Sequence, residues 1–201
     1  MAYSDFSLRK VKKTFGVIEK REALFEAITP EPMSDWLKET LETSLYFALA
    51  SSSEKARSEF IVMPLLFETY KRNQHKFSIY SGETLDADKT LGLTGECDFI
   101  FSKGEMVHTI QAPVFTLVEA KKKDIGEGIG QCAAQMIGAQ HFNQQEGNEI
   151  AEIYGCVTTG EDWQFLKLSD KTLIIDTVRY YLDHVENILG VLQKIIQSCL
   201  D

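Results

Sequence analysis

Cysteine and histidine, the residues that most often form disulfides or hold zinc, are scarce in this chain of 201 residues, with four of each. The cysteines lie far apart and form no CxxC pair, which argues against a zinc knuckle or a redox motif. The histidines are dispersed and show no ligand spacing. Each cysteine has an apolar context, so the sequence predicts buried free thiols in a reducing compartment. The cysteines are Cys97, Cys132, Cys156 and Cys199.

Long apolar runs are absent. No segment reaches the roughly 18 consecutive apolar residues of a membrane-spanning helix. The first residues, MAYSDFSLRKVKK, contain no apolar stretch of the length found in signal peptides. We therefore expect a cytoplasmic protein that does not associate with a membrane.

Positive charge is in deficit, with 21 Lys and Arg against 30 Asp and Glu and a formal net charge of −9. That balance disfavours loose binding to nucleic acid, which depends on neutralising phosphates. It does not exclude a local basic cleft, because the field at a site depends on where the charges lie. The basic run Arg9, Lys10, Lys12 and Lys13 fits either a nucleic-acid contact or a solvated helix face.

The length fits a single domain over residues 1–201. The sequence divides into a helical N-terminal extension (1–50), a core (54–170) and a C-terminal strand with a helix (171–201). Ser7 and Ser34 are suitable N-caps for two helices in the extension. A third helix, SSSEKARSEFIVMPLLFETYKRN, contains Pro64, which is expected to kink it or to start a new turn.

The pattern changes from helix to strand after Asn73. Residues 127–145 then predict a helix rich in small side chains, and residues 180–199 predict a final amphipathic helix. This order predicts an α/β fold in which a mixed central sheet has helices on each face. The segments predicted as strands are KFSIYSGE, GECDFIFS, MVHTIQ, APVFTLVEAK, EIYGCVTTG, DWQFLKLS and KTLIIDTV.

The stretch VFTLVEAKKKD, residues 114–124, runs from apolar residues directly into charge. Alternate side chains of a strand share a face, so Glu119 and Lys121 should point the same way, together with Leu117 and Phe115. If GECDFIFS is the neighbouring strand, Asp98 can meet Glu119 on one surface.

Two carboxylates brought together repel each other unless a cation lies between them. A hard divalent metal held by Asp98, Glu119 and a backbone carbonyl would meet that need. Lys121 would lie beside the metal, where it can orient a water or offset the charge of a phosphate.

Three further polar residues are candidates for the same site. Gln131 and Gln135 are four residues apart on the following helix and therefore share a face, which can point back over the strand ends. Glu59, early in its helix, is a further acidic candidate, although it also fits an ordinary surface residue.

These residues together resemble the PD-(D/E)XK nuclease superfamily, whose core is an αβββαβ arrangement of the restriction-endonuclease type. The resemblance covers roughly residues 54–170, and its motif here is Asp98 followed by Glu119-Ala120-Lys121. The stretch CVTTGEDWQFLKL is also similar to the nuclease regions of type I restriction-enzyme motor subunits. Cys97 stands where the motif is named for a proline, and no helicase motif accompanies the core.

The resemblance implies Mg²⁺-dependent hydrolysis of phosphodiesters in DNA, with Mn²⁺ as a possible substitute. Asp98, Glu119 and the Ala120 carbonyl would hold the metal, and Lys121 would position the attacking water. Gln131 and Gln135 would form the helical Gln motif, and Glu59 would be the acid of the first helix. A nuclease fold that serves as a binding or structural module of a restriction or defence assembly is the alternative, since fold alone does not decide function.

A homodimer is a further expectation. The terminal helices, and above all the apolar face of the last one, suit either a dimer contact or packing on the chain's own core. That face is formed by Val185, Ile188, Leu189, Leu192, Ile195 and Ile196.

Overall fold

Seven strands form one mixed sheet in the computed structural model, which describes residues 1–51, 53–148 and 150–200. Across the sheet their order is β1-β7-β6-β5-β4-β3-β2. The pairs β1–β7 and β4–β5 are parallel, and the other neighbours are antiparallel. The predicted α/β class and the mixed sheet flanked by helices are confirmed. The strands are β1 (Ile18–Glu22), β2 (Phe77–Thr84), β3 (Glu96–Lys103), β4 (Val114–Ala120), β5 (Glu152–Thr158), β6 (Asp162–Ser169) and β7 (Thr172–Tyr181).

Helices cover both faces of this sheet, and none of those in the described part of the chain is long and apolar enough to cross a membrane. The two predicted caps are confirmed, since Ser7 Oγ accepts from the Lys10 N–H and Ser34 Oγ accepts from the Leu37 N–H. The helices are α1 (Leu8–Phe15), α2 (Asp35–Ala50), α3 (Glu54–Arg57), α4 (Met63–Arg72), α5 (Ile125–Gln145) and α6 (Val185–Leu200).

The predicted irregularity at Pro64 takes the form of a π-helical turn, Ser58–Val62, that joins α3 to α4. Proline has no backbone N–H, so the carbonyl of Phe60, four residues earlier, cannot receive its usual helical hydrogen bond from Pro64. Ser44 of α2 donates its hydroxyl to that carbonyl at 2.7 Å. The Phe60 carbonyl, which Pro64 leaves without its helical partner, thus receives its hydrogen bond from a neighbouring helix.

The prediction that residues 1–50 are helical was wrong for β1. This strand pairs in parallel with β7, from Ile18 opposite Thr172 to Glu22 opposite Asp176. Four of its five residues are charged and none of the five side chains is buried. Backbone hydrogen bonds at the sheet edge hold β1 in place. Because no face of the strand is buried, its sequence lacks the alternation of apolar and polar residues by which a strand is predicted.

Two other element boundaries also differ from the prediction. MVHTIQ is not a strand, and side chains bind its backbone carbonyls, as when Tyr80 Oη donates to the Thr109 carbonyl at 2.9 Å. The last strand continues to Tyr181, so α6 begins only at Val185.

Each face of the sheet has its own hydrophobic core. α1 and α5 cover the core that contains Leu117, whereas α2, α4 and α6 cover the core that contains Phe115. The prediction that Phe115 and Leu117 share a face was wrong, because the β3–β4 register shifts by one residue between Phe101 and Ser102. Such a β-bulge reverses the side on which the next side chain points.

The cysteines and α6 both belong to these cores. Three of the four free cysteines are buried, as predicted, and Cys199 is partly exposed. All six residues of the apolar face of α6 are buried in the core on the α2 side. That face packs within the chain and is therefore not available for a dimer.

Candidate functional site

Asp98 and Ala120 meet where the β3–β4 ladder ends. The last backbone pair of that ladder is Phe99 with Val118. Beyond it, Asp98 Oδ2 accepts a hydrogen bond from the Ala120 N–H at 2.7 Å. The Asp98 carboxylate therefore replaces a strand carbonyl and is fixed against the backbone of β4.

Glu119 is buried, with 2% of its surface exposed, and both of its oxygens have partners. Its Oε1 lies 2.6 Å from Lys121 Nζ, and its Oε2 accepts from Gln135 Nε2 at 2.7 Å. Lys121 Nζ also donates to Gln131 Oε1 at 3.1 Å. Glu119, Lys121, Gln131 and Gln135 thus form one connected network, which we call the carboxylate–lysine network.

Helix α5 supplies both glutamines because its first turns lie directly on the strand ends. Asp124 begins the helix as its N-cap by accepting from the Gly126 N–H at 2.7 Å. A Cβ atom at Gly128 would lie 2.5 Å from Val157 Cγ1 and 3.0 Å from Lys121 Cγ, so any larger residue would push the helix away. The small residues noted in the sequence therefore have a geometric role beside the network.

Burial raises the pKa values of both carboxyl groups, Glu119 and Asp98. For Glu119 the pKa rises from 4.5 to about 7, because burial penalises the anion and the Asp98 charge adds to that penalty. Burial likewise raises the pKa of Asp98, despite the opposing hydrogen bond from Ala120.

Lys121 remains a cation in this setting. Burial by itself would lower its pKa, but the charge and hydrogen bond of Glu119 outweigh burial, so the pKa is raised overall. Glu54 and Asp98 contribute in the same direction. One ammonium therefore faces at least two carboxylates in a partly buried site.

Glu54 of α3, which is exposed, acts on this site through its charge. Its charge raises the pKa of both Asp98 and Lys121. Glu59, the residue predicted for this role, is exposed and lies 3.7 Å from Lys55 in an ion pair. Glu54 directly follows the cap residue Ser53, which accepts from the Ala56 N–H and so anchors the start of α3.

The donor set suits a hard divalent cation. It consists of carboxylate and amide oxygens, which are the ligands that Mg²⁺ and Mn²⁺ prefer. Within the described residues, Gln135 Oε1 is buried and has no hydrogen-bond partner. This oxygen, on the side chain that donates to Glu119, is therefore free to act as a metal ligand or to accept a hydrogen bond from water. In the same part of the chain, no three His, Cys, Asp or Glu side chains lie close enough to form a metal-binding group. Asp98 and Glu119 would therefore need water, amide or backbone oxygens to complete a coordination shell.

Comparison with known proteins gave no match, either to a family model or to a curated sequence.

Proposed function

We propose that this chain hydrolyses phosphodiester bonds of DNA with Mg²⁺, using a site of the PD-(D/E)XK type. The observation that carries this proposal is Glu119, a buried carboxyl group that is hydrogen-bonded to Lys121 and Gln135 and has a pKa of about 7, raised by burial and by the Asp98 charge. Perturbed ionisable groups that converge at strand ends are typical of catalytic sites. A restriction-endonuclease-like core is part of the proposal, and the order α4-β2-β3-β4-α5-β5 supports it.

Asp98 and Glu119 would hold the cation, with the Ala120 carbonyl as a further ligand. A bound Mg²⁺ ion polarises a phosphoryl oxygen and lowers the pKa of water, and so supplies the nucleophile at neutral pH. Glu119 has to lose its proton before it can act as a ligand, and a pKa of about 7 makes that loss inexpensive near neutrality.

Lys121 acts as a fixed positive charge in this proposal. Because its pKa is raised, the ammonium keeps its proton and does not serve as a general base. It would orient the attacking water and stabilise the negative charge that develops on the phosphate. Gln131 and Gln135 position Lys121 and Glu119 through their hydrogen bonds.

Cleavage of plasmid and single-stranded DNA by purified protein, with Mg²⁺ or Mn²⁺, tests this proposal. Asp98→Ala and Lys121→Ala should abolish cleavage, whereas Lys122→Ala, at an exposed neighbouring lysine, should not. Cleavage that persists in both site variants would show that the activity arises elsewhere.

The net charge of −9 favours the second candidate, a nuclease fold that serves as a binding or structural module. Calorimetric titration with Mg²⁺ and Mn²⁺ separates the two. A protein that neither cleaves DNA nor binds metal would support the binding module.

A further inference from the structure

Helix α1 is a segment of the sequence in which basic residues cluster without acidic ones. Its eight residues, LRKVKKTF, include four cations and no Asp or Glu, in a chain whose acids outnumber its bases by 30 to 21. Phosphate-rich partners are attracted to such local clusters even when the net charge of the protein is negative.

The apolar side of α1 packs against the protein core. Val11 is fully buried, and Leu8 and Phe15 are partly buried against the same core. A membrane-surface helix needs that side free to insert between lipids. The basic side of α1 is therefore the part that remains available, and it suits a polar, anionic partner.

Close packing places the beginning of α1 beside the carboxylate–lysine network. A Cβ atom on Gly130 of α5 would lie 2.5 Å from the carbonyl oxygen of Phe6, so only glycine allows the two segments to approach this closely. Gly130 directly precedes Gln131, whose Oε1 accepts from Lys121 Nζ. The beginning of α1 therefore packs against Gly130, and the network includes the next residue of the same helical turn, Gln131.

Two of the four cations are already engaged. Lys12 forms an ion pair with Glu19 at 2.8 Å, and Lys10 donates to the Asp5 carbonyl at 3.1 Å while lying over the Phe6 ring. Arg9 and Lys13 are exposed and form no ion pair with any residue that the structure describes. These two side chains can therefore neutralise external phosphates without breaking an internal contact.

We infer that the exposed basic side of α1, through Arg9 and Lys13, binds the phosphate backbone of the DNA duplex that is cut at the carboxylate–lysine network. This inference rests on the proposed function and identifies the surface that lets an acidic protein hold a polyanion.

The test measures binding of a fluorescent DNA duplex in EDTA, where no cleavage occurs, over a range of salt concentrations. Each phosphate contact contributes roughly 0.9 to the slope of log K against log salt. The double variant Arg9→Gln, Lys13→Gln should therefore lower the magnitude of the slope by about 1.8. The control Lys38→Gln, Lys76→Gln removes two exposed lysines elsewhere and should leave the slope unchanged.

A small chromogenic phosphodiester provides the second readout, because it carries a single phosphate and has no further backbone phosphate for α1 to bind. The α1 variant should hydrolyse it in Mg²⁺ at the rate of the unmodified protein, while its KM for duplex DNA rises. Retained small-substrate activity also shows that the variant is folded.

The possible outcomes separate this inference from the proposed function. Equal salt slopes for the α1 variant and the control, in a protein that cuts DNA, would overturn the role of α1 and leave the nuclease proposal intact. A reduced slope in a protein that cuts neither substrate would support the DNA contact and overturn the nuclease proposal. Arg9- and Lys13-dependent binding to anionic lipid vesicles, without binding to DNA, would overturn the inference.

Discussion

Glu68 and Glu119 are each 2% exposed to solvent, but Glu119 lies deeper in the protein and the surroundings of the two carboxyl groups give them opposite properties. Glu68 of α4 receives two hydrogen bonds from Arg72 and two from Ser34. Burial alone would raise the pKa of Glu68, but these partners outweigh burial and lower it. Glu119 has Lys121 and Gln135 as partners, yet its pKa rises because burial and the Asp98 charge dominate.

The difference indicates that solvent exposure by itself does not distinguish a structural carboxylate from a reactive one. Glu68 accepts four hydrogen bonds, two of them from the Arg72 guanidinium, as expected of an ion pair that fixes a fold. The second carboxylate beside Glu119 leaves its site short of positive charge. A cation or a proton is needed there, which is a property of sites that bind ligands.

Exchanging Glu119 for its amide gives the largest expected effect. We expect Glu119→Gln to lower DNA cleavage about 10³-fold, because the site loses the carboxylate that would hold the cation. The amide oxygen can still accept from Lys121, so the fold should persist. Initial rates on supercoiled plasmid and urea unfolding at pH 8 measure the two effects.

The same exchange at Glu68 should give the reverse result. Glu68→Gln removes the buried partner of Arg72, which is 24% exposed and keeps its ion pair with Glu31 at 3.2 Å, so we expect the free energy of unfolding to fall by about 2 kcal/mol. Cleavage at a temperature where the variant is folded should be unchanged. Lys55→Met, which removes a comparable i,i+4 ion pair with an 81% exposed lysine, is the control and should not shift the urea midpoint.

The pH dependence of stability should also differ in sign between the two residues. The folded state holds the Glu119 proton more tightly than the unfolded state, so its contribution is present below pH 4.5 and is lost as the pH rises to about 7. The loss of stability is roughly 3 kcal/mol. In the Glu119→Gln variant, the free energy of unfolding measured with urea should no longer show this decrease between pH 4.5 and 7.

Glu68 contributes in the other direction, because its pKa is lowered on folding. Its stabilisation is present above the unfolded pKa of 4.5 and is lost as the pH falls through the lower folded value. A Glu119→Gln variant that retained the full slope between pH 4.5 and 7 would contradict the assignment of that slope to Glu119.

Removing the cap at Ser34 is the smallest of these changes. Ser34 caps α2 and also donates its hydroxyl to Glu68 Oε2 at 2.8 Å, so Ser34→Ala should cost about 1 kcal/mol or slightly more. Ser53→Ala removes a cap that bonds no carboxylate among the described residues and should cost less. Equal losses would mean that the bond to Glu68 adds nothing to the cap.

The sequence was most informative where a local rule determined the outcome. Strand alternation and helical spacing predicted that Glu119, Lys121, Gln131 and Gln135 share a surface, and these four side chains are in contact. Helix caps were identified equally well, because an N-cap requires only a suitable side chain two or three residues before the N–H that it accepts from.

Features that depend on distant parts of the chain were not predicted. The face of Phe115 is set by a bulge against β3, and β1 exists only because β7 lies beside it. The choice between Glu54 and Glu59 depends on how α3 and the π-helical turn are oriented toward the sheet. Helical periodicity contains no information about that orientation.

The pairing of β1 with β7 has a consequence for the order in which this chain acquires its structure. Residues 18–22 find their partners only at residues 172–176, so the first strand cannot pair with β7 until those later residues have emerged from the ribosome. Contacts so distant in sequence form late and slow the folding rate. Throughout that interval β1 exposes mainly charged side chains, which discourage pairing with the strands of other nascent chains.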